Sequence, residues 1–246
     1  MSSSIAPAAL LFVLVSSPVF AQAPPPEPPK IWTESFNAGL ALTSGNSDTS
    51  TVNLGYEITY DPQTRNRIKS DGLYLRGTTE GELSAQRLAL NGRDEYRLTQ
   101  RSFVFGQMQF LRDRFKEIDY LVAPTGGVGY RLLDSPRTML SVDTGLGTVW
   151  EKNTGVDVAT SGAFTYAEKL THQLTSTAKL TESLSALHRT NDFEDALFQF
   201  GVGIAATVSA RTQLKVELLD IYKTRPPSAA IVKNDVAVIV ALVYKN

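Results

Sequence analysis

The 246-residue chain has no cysteine and only two histidines. The first absence excludes disulfides, Cys-ligated zinc and thiol catalysis. The second leaves little for a metal centre: His172 and His188 stand apart among scattered carboxylates, with no metal-ligand spacing. No cofactor is called for. An excess of one charge is also missing. Lys and Arg number 24 against 25 Asp and Glu, so no basic field for nucleic acid exists. Beyond the N-terminus there is no run of about 18 apolar residues, which excludes a transmembrane helix from the mature chain. Gly145-Leu-Gly147 and Gly201-Val-Gly203 are not phosphate loops. Both lie inside extended segments with no helix after them, where glycine serves close packing or bending.

What the chain has instead is alternation. In Thr138–Trp150, Leu140, Val142, Leu146 and Trp150 share one parity, and Ser141, Asp143, Gly145 and Gly147 the other. Period two means a strand with different surroundings on its two faces. At this length it exceeds the usual globular strand and meets the roughly 9–11 tilted residues that a bilayer requires. The pattern recurs in Trp32–Ser44, Thr49–Tyr60, Arg67–Gly77, Ala85–Leu98, Phe103–Arg112, Tyr120–Leu132, Ser161–Leu170, Leu174–Leu187, Ala196–Val208, Thr212–Tyr222 and Asn234–Tyr244. The expectation is an all-β, antiparallel, up-and-down transmembrane barrel of about twelve strands, with both termini in the periplasm. Short gaps such as DPQTR, TQR and LDSPR are read as turns, and longer polar gaps as outer loops. A soluble β-sandwich would also alternate, but it needs neither strands this long nor loops sorted by length.

Residues 1–23 are read as a signal peptide, with Ile5 to Phe20 apolar and small residues at Ala21 and Ala23 for cleavage; a buried N-terminal helix is the other reading. Residues 24–31 form a Pro-rich periplasmic segment, and 32–246 the barrel. The expected location is therefore the outer membrane of a Gram-negative bacterium, after export. The expected partners are outer-membrane lipid and the barrel-assembly machinery, with small solutes as candidates and no nucleic acid.

Several stretches resemble the salt-induced outer-membrane protein family, a YdiY-like family of unknown function. They are LALTSGNSDTSTVNLGYEITYD, FLRDRF, GGVGYRLLD with LSVDTGLGTVWE, and the closing VALVYKN. The resemblance covers nearly all the mature chain and implies an outer-membrane barrel with no established activity. Where such chains end in an aromatic after Tyr-Lys, this one has Asn246, and Tyr244 takes the aromatic's place.

The candidate functional residues are charges on the inward parity: Glu57, Arg93, Glu95, Arg97, Arg131, Asp143, Lys215 and Glu217, joined by Lys169 and Lys179. They would line a polar pore or brace a mostly closed lumen. With both signs in similar number, strong ion selectivity is not expected. Three functions follow: a structural or weakly conducting barrel linked to envelope or salt stress, a small-solute channel, and a hydrolase using His188 with Asp192 or Asp195. The last lacks a nucleophile placed by sequence within reach of its base, so no enzyme is expected.

Overall fold

The computed structural model describes residues 30–44, 49–79 and 82–245. Twelve antiparallel strands close into a barrel, each bonded to its sequence neighbours and the last to the first. They are β1 (Trp32–Ser44), β2 (Thr49–Tyr60), β3 (Asn66–Thr79), β4 (Glu82–Arg97), β5 (Ser102–Asp113), β6 (Ile118–Asp134), β7 (Thr138–Asn153), β8 (Ala159–Gln173), β9 (Ala178–Arg189), β10 (Asp192–Thr207), β11 (Thr212–Lys223) and β12 (Asn234–Lys245). A 3-10 turn, Arg114–Lys116, is the sole helical element among the described residues. The signal segment, the Pro-rich stretch 24–29, the turn at 45–48 and Asn246 lie outside the described residues.

Alternation becomes inside and outside. On β12, Ile239 is 2% exposed and its neighbour Val240 is 45% exposed. Val238, Leu242 and Tyr244 share the outward face, while Ala237, Ala241 and Val243 are buried within. The composition of β3 leaves its lipid face ambiguous. The structure turns Leu75 inward, fully buried against Ala237, Ile239 and Ala241. Tyr74 takes the outward face with its register partner Leu54. Aromatics collect near both ends of the outer surface: Trp32, Tyr96, Tyr130 and Tyr244 at one, Trp150, Phe193 and Tyr222 at the other. These are the girdles that a barrel presents to the two interfaces of a bilayer.

Closure runs in register from Ser35 opposite Lys245 to Ser44 opposite Val236. Gly39 faces Ala241 there, and a Cβ at 39 would stand 2.0 Å from the Val240 carbonyl oxygen. Only glycine lets the two strands approach this closely.

Trp32 and Lys245 lie at the same end as the connections 61–65, 98–101, 135–137, 174–177 and 208–211, hereafter the turn end. At the opposite, loop end the structure corrects the sequence reading. Residues 114–117, 154–158 and 190–191 are also short, and 224–233 alone is long among the described connections. Most of the polar residues assigned to long outer loops belong to strands that extend further. A second correction concerns β9, which starts at Ala178 rather than Leu174. Thr175 Oγ1 accepts the amides of Thr177 and Ala178, and Leu174 N–H donates to the Ala178 carbonyl, so 174–177 is a hydroxyl-stabilised turn. His172, expected in a turn, lies within β8 with Nδ1 2.8 Å from Thr138 Oγ1.

Candidate functional site in the barrel interior

The interior has three levels. At the loop end the charges are buried and matched. Arg87 on β4 donates through Nε to Asp113 Oδ2 at 2.6 Å, with both side chains nearly inaccessible. Asp113 Oδ1 also caps the 3-10 turn by accepting the Phe115 amide at 2.9 Å. That turn carries Phe115 under the Arg87 guanidinium, 5.1 Å from ring centroid to Cζ. It also sends Lys116 across the mouth. Lys116 Nζ meets Asp235 Oδ2 at 2.9 Å and donates to the carbonyls of Val232 and Lys233 at 3.1 and 2.7 Å. β5 and β12 stand on nearly opposite walls of the ring, so this contact ties the turn after β5 to the end of the 224–233 loop across the opening. Burial pushes the Lys116 ammonium below its ordinary pKa, an effect that its Asp235 partner opposes.

A second group joins four strands. Glu151 on β7 accepts from Arg189 Nη2 on β9 at 2.6 Å and from Lys223 Nζ on β11 at 2.7 Å. Asp195 on β10 lies 2.9 Å from Arg189 Nε and 3.7 Å from Lys223 Nζ. Next to these charges sits an apolar cluster containing Leu111, Leu121, Val149, Leu187, Leu197 and Ile221. It fills the lumen with side chains, as small barrels do.

At mid-height Arg93 is a strut. Its Nε donates to Glu95 at 2.9 Å on its own strand, Nη1 to Gln107 at 2.8 Å and Nη2 to Asp143 on β7 at 2.8 Å. Its Cζ lies 3.8 Å from the Phe105 ring centroid, a stacked cation on an aromatic face. Glu95 also accepts from Lys69 at 2.7 Å. Beside the strut lies a small cavity of about 50 Å³ bordered by Asn91, Gln107, Gln109 and Gln199.

Towards the turn end the lumen opens into a cavity of about 340 Å³. Six cationic residues line it: Arg67, Lys69, Lys169, Lys179, Lys215 and Lys245. Three carboxylate residues, Glu57, Glu182 and Glu217, also border it. Lys215 pairs with Glu217 at 2.9 Å and Arg67 with Asp61 at 3.4 Å.

The eight sequence candidates therefore divide. Arg93, Glu95 and Asp143 are brought together in the strut. Glu57, Lys215 and Glu217 line the cavity. Arg97 and Arg131 sit at the turn end instead, where Arg97 binds Asp61 and the Thr64 carbonyl, and Arg131 the Gln100 carbonyl and Asp134. Sequence reasoning missed Arg87, Asp113, Lys116, Glu151, Arg189, Asp195, Lys223 and Asp235, because it placed most of them in or beside loops. It also missed that the balanced total of charge is unevenly distributed along the barrel axis.

The His188 arrangement does not form. Its ring packs outside the barrel, stacked on Phe193 at 4.8 Å and edge-on to Phe198 at 5.4 Å, and its Nδ1 donates to the Phe193 carbonyl at 2.9 Å. Asp195 points inward to Arg189, and Asp192 is held by Arg225. Neither is placed as a partner for the ring.

Comparison with known proteins agrees with this architecture. The model of a family described as "Protein of unknown function, DUF481" matches residues 36–245. The uncharacterised protein YdiY of Escherichia coli (strain K12) is 25% identical over 243 residues, covering 95% of this chain and 88% of that protein. Among solved structures, the NanC porin superposes with a TM-score of 0.59 at 7% identity, over 86% of this chain and all of the porin. The translocator domain of the autotransporter NalP from Neisseria meningitidis gives 0.51 at 11% identity, over 89% of each chain. These structural likenesses establish the outer-membrane type of barrel.

Proposed function

We propose that this chain, which belongs to the DUF481 family of proteins of unknown function, is an outer-membrane barrel closed or only weakly conducting at rest. The supporting observation is the filled loop end: Lys116 bridges the mouth to Asp235, above a lumen packed with Leu111, Leu121, Leu187, Leu197 and Ile221. A bilayer places the turn end in the periplasm, following the arrangement of bacterial outer-membrane barrels. Partners on this reading are lipid on the outward face and the assembly machinery during insertion. Export by a cleaved signal segment, 1–23, belongs to the same proposal, as does a role under salt or envelope stress, which the family resemblance suggests. A deletion strain that grows like its parent in high salt would remove that role.

Planar bilayers test the closed state. The wild type should show little conductance, and Lys116→Gln should raise it by releasing the bridge across the mouth. A large wild-type conductance blocked by a solute would replace this reading with the second one, a small-solute channel, which the 340 Å³ cavity favours.

A further inference from the structure

We infer that the turn-end cavity is a binding site for a small polyanion carrying two or more carboxylate or phosphate groups. Five strands bring six cationic side chains to it: Arg67 and Lys69 from β3, Lys169 from β8, Lys179 from β9, Lys215 from β11 and Lys245 from β12. Three of the six are spoken for, Lys69 by Glu95, Lys215 by Glu217 and Arg67 by Asp61. Lys169, Lys179 and Lys245 have no carboxylate at ion-pair distance among the described residues. Glu57 is within electrostatic range of Lys179 and Lys245, and Asp71 of Lys169, but Lys215 lies within range of Lys179 and Lys245, and Lys179 within range of both Lys169 and Lys245. Glu182 borders the cavity from the outward parity of β9, level with Val202.

This excess is local. Arg87, Lys116, Arg189, Lys223 and Arg93 each meet a carboxylate elsewhere in the interior. A barrel that matches its cations at the loop end and in the middle leaves three unmatched in one chamber. Cationic residues outnumber carboxylates six to three on this lining, and a net excess of one sign between low-dielectric walls focuses the field and concentrates counter-ions there. An ionisable group inside a membrane protein marks a ligand path unless a partner neutralises it. Hydroxyls of Ser141, Thr171 and Ser183 stand among the lysines and can hydrogen-bond a polar ligand. The volume lies within the range of small-molecule sites. Above it the lumen narrows through a further space of about 150 Å³ beside Tyr56, Asp71 and Leu219 and is filled at the loop end, so a ligand enters and leaves by the same mouth.

Calorimetric titration of the full-length folded protein in detergent micelles tests this, with citrate, pyrophosphate, glucose and spermidine as probes. Citrate or pyrophosphate should bind, and the neutral and cationic probes should not. Binding of citrate alone assigns the site to polycarboxylates, and of pyrophosphate alone to phosphates. Affinity should fall with added NaCl. The double variant Lys169→Gln/Lys179→Gln should bind about tenfold more weakly or worse, and Lys116→Gln should bind like the wild type. Heat-modifiable mobility on gels checks folding, and Lys245→Gln, at the end of β12, provides a milder variant if the double one misfolds. Absence of binding by both anions, equal binding of spermidine, or undiminished affinity in folded lysine variants would overturn the proposal. Heats of binding need no current, so this result stands or falls separately from the conductance of the barrel.

Discussion

Glu151 and Lys179 both face the interior of the same barrel, in opposite company. Glu151, near the loop end, is fully enclosed and receives Arg189 and Lys223 at 2.6 and 2.7 Å. Lys179, near the turn end, borders a 340 Å³ cavity and has other cations for neighbours. Where water is excluded, a charge must find its partner within the protein, since removing an ion from water costs several kcal/mol that only close pairing and hydrogen bonds offset. Where a wet cavity remains, water and mobile ions screen the charge and no partner is forced. The loop end thus uses ion pairs as structure, and the turn end leaves them available to a ligand. Summed charge conceals this difference, because a near-zero total says nothing of where along the axis the charges find partners.

The sharpest way to break the contrast is Glu151→Ala. It strands Arg189 and Lys223 in a buried site with Asp195 as their remaining carboxylate. Removing one partner of a buried ion pair costs about 3–5 kcal/mol. Urea unfolding in micelles should show a loss of that order. A loss below about 1 kcal/mol, the worth of an exposed pair, would mean that water reaches the loop-end interior.

Next in size is the outer surface. Leu146, 66% exposed in mid-strand, faces lipid, and Leu146→Arg should cost roughly 2–4 kcal/mol. Val202, central on β10, should behave alike. Leu140→Arg should cost only about 0–1 kcal/mol, because Leu140 is two residues beyond the start of β7 and lies at an interface rather than the midplane. Equal penalties at 140 and 146 would contradict the level assigned to the bilayer.

The difference between these two leucines shows what a sequence can carry. Parity assigned both to the outside, and closure of β12 onto β1 followed from the need to satisfy an edge in lipid. The bounds of β1 and β2 coincide with their alternating stretches because the alternation stops sharply at the polar sequence Gly45-Asn46-Ser47-Asp48. Height along the barrel was not legible, since period two gives a face and no depth. Nor was the loop end. Asp113, Lys116 and Arg189 fall in polar stretches that read as loops, because a charge in sequence looks the same in water as beside a buried partner. Their partners lie on strands that the chain reaches much later, as with Glu151 and Lys223 or Lys116 and Asp235. Sorting the inward charges by distance from each strand's end would have shown the basic chamber. Lys169, Lys179, Lys215 and Lys245 all lie within a few residues of a turn-end connection.

Between the two ends stands Arg93. Arg93→Ala removes bonds to Glu95, Gln107 and Asp143 together with the Phe105 contact. The Arg93 and Asp143 side chains keep a small exposure to the lumen, unlike the enclosed Glu151 group, so water can replace part of what is lost. A destabilisation of about 1–3 kcal/mol is expected, between the buried and exposed cases. Arg93→Lys should recover little, because one ammonium cannot serve three acceptors in the guanidinium plane and stack as well. Full recovery by lysine would reduce the strut to a simple charge.

The smallest effect should come from Lys179→Gln, and its sign is informative. Lys179 is subject to attraction from Glu57 and repulsion from Lys169, Lys215 and Lys245. Neutralising it removes one favourable and three unfavourable interactions, all across a solvated cavity. The net change should be within about 0.5 kcal/mol and towards greater stability at low ionic strength. At about 0.5 M NaCl the Debye length falls well below its length in dilute buffer, so the advantage of the variant should vanish. Glu151→Ala should keep most of its deficit at both salt concentrations, since its partners are shielded from solvent ions. Unfolding curves for the two variants at low and high salt therefore separate the ends of the barrel. A loss above about 1 kcal/mol for Lys179→Gln would show that the lysine already has an internal partner, and the turn end would then be built like the loop end.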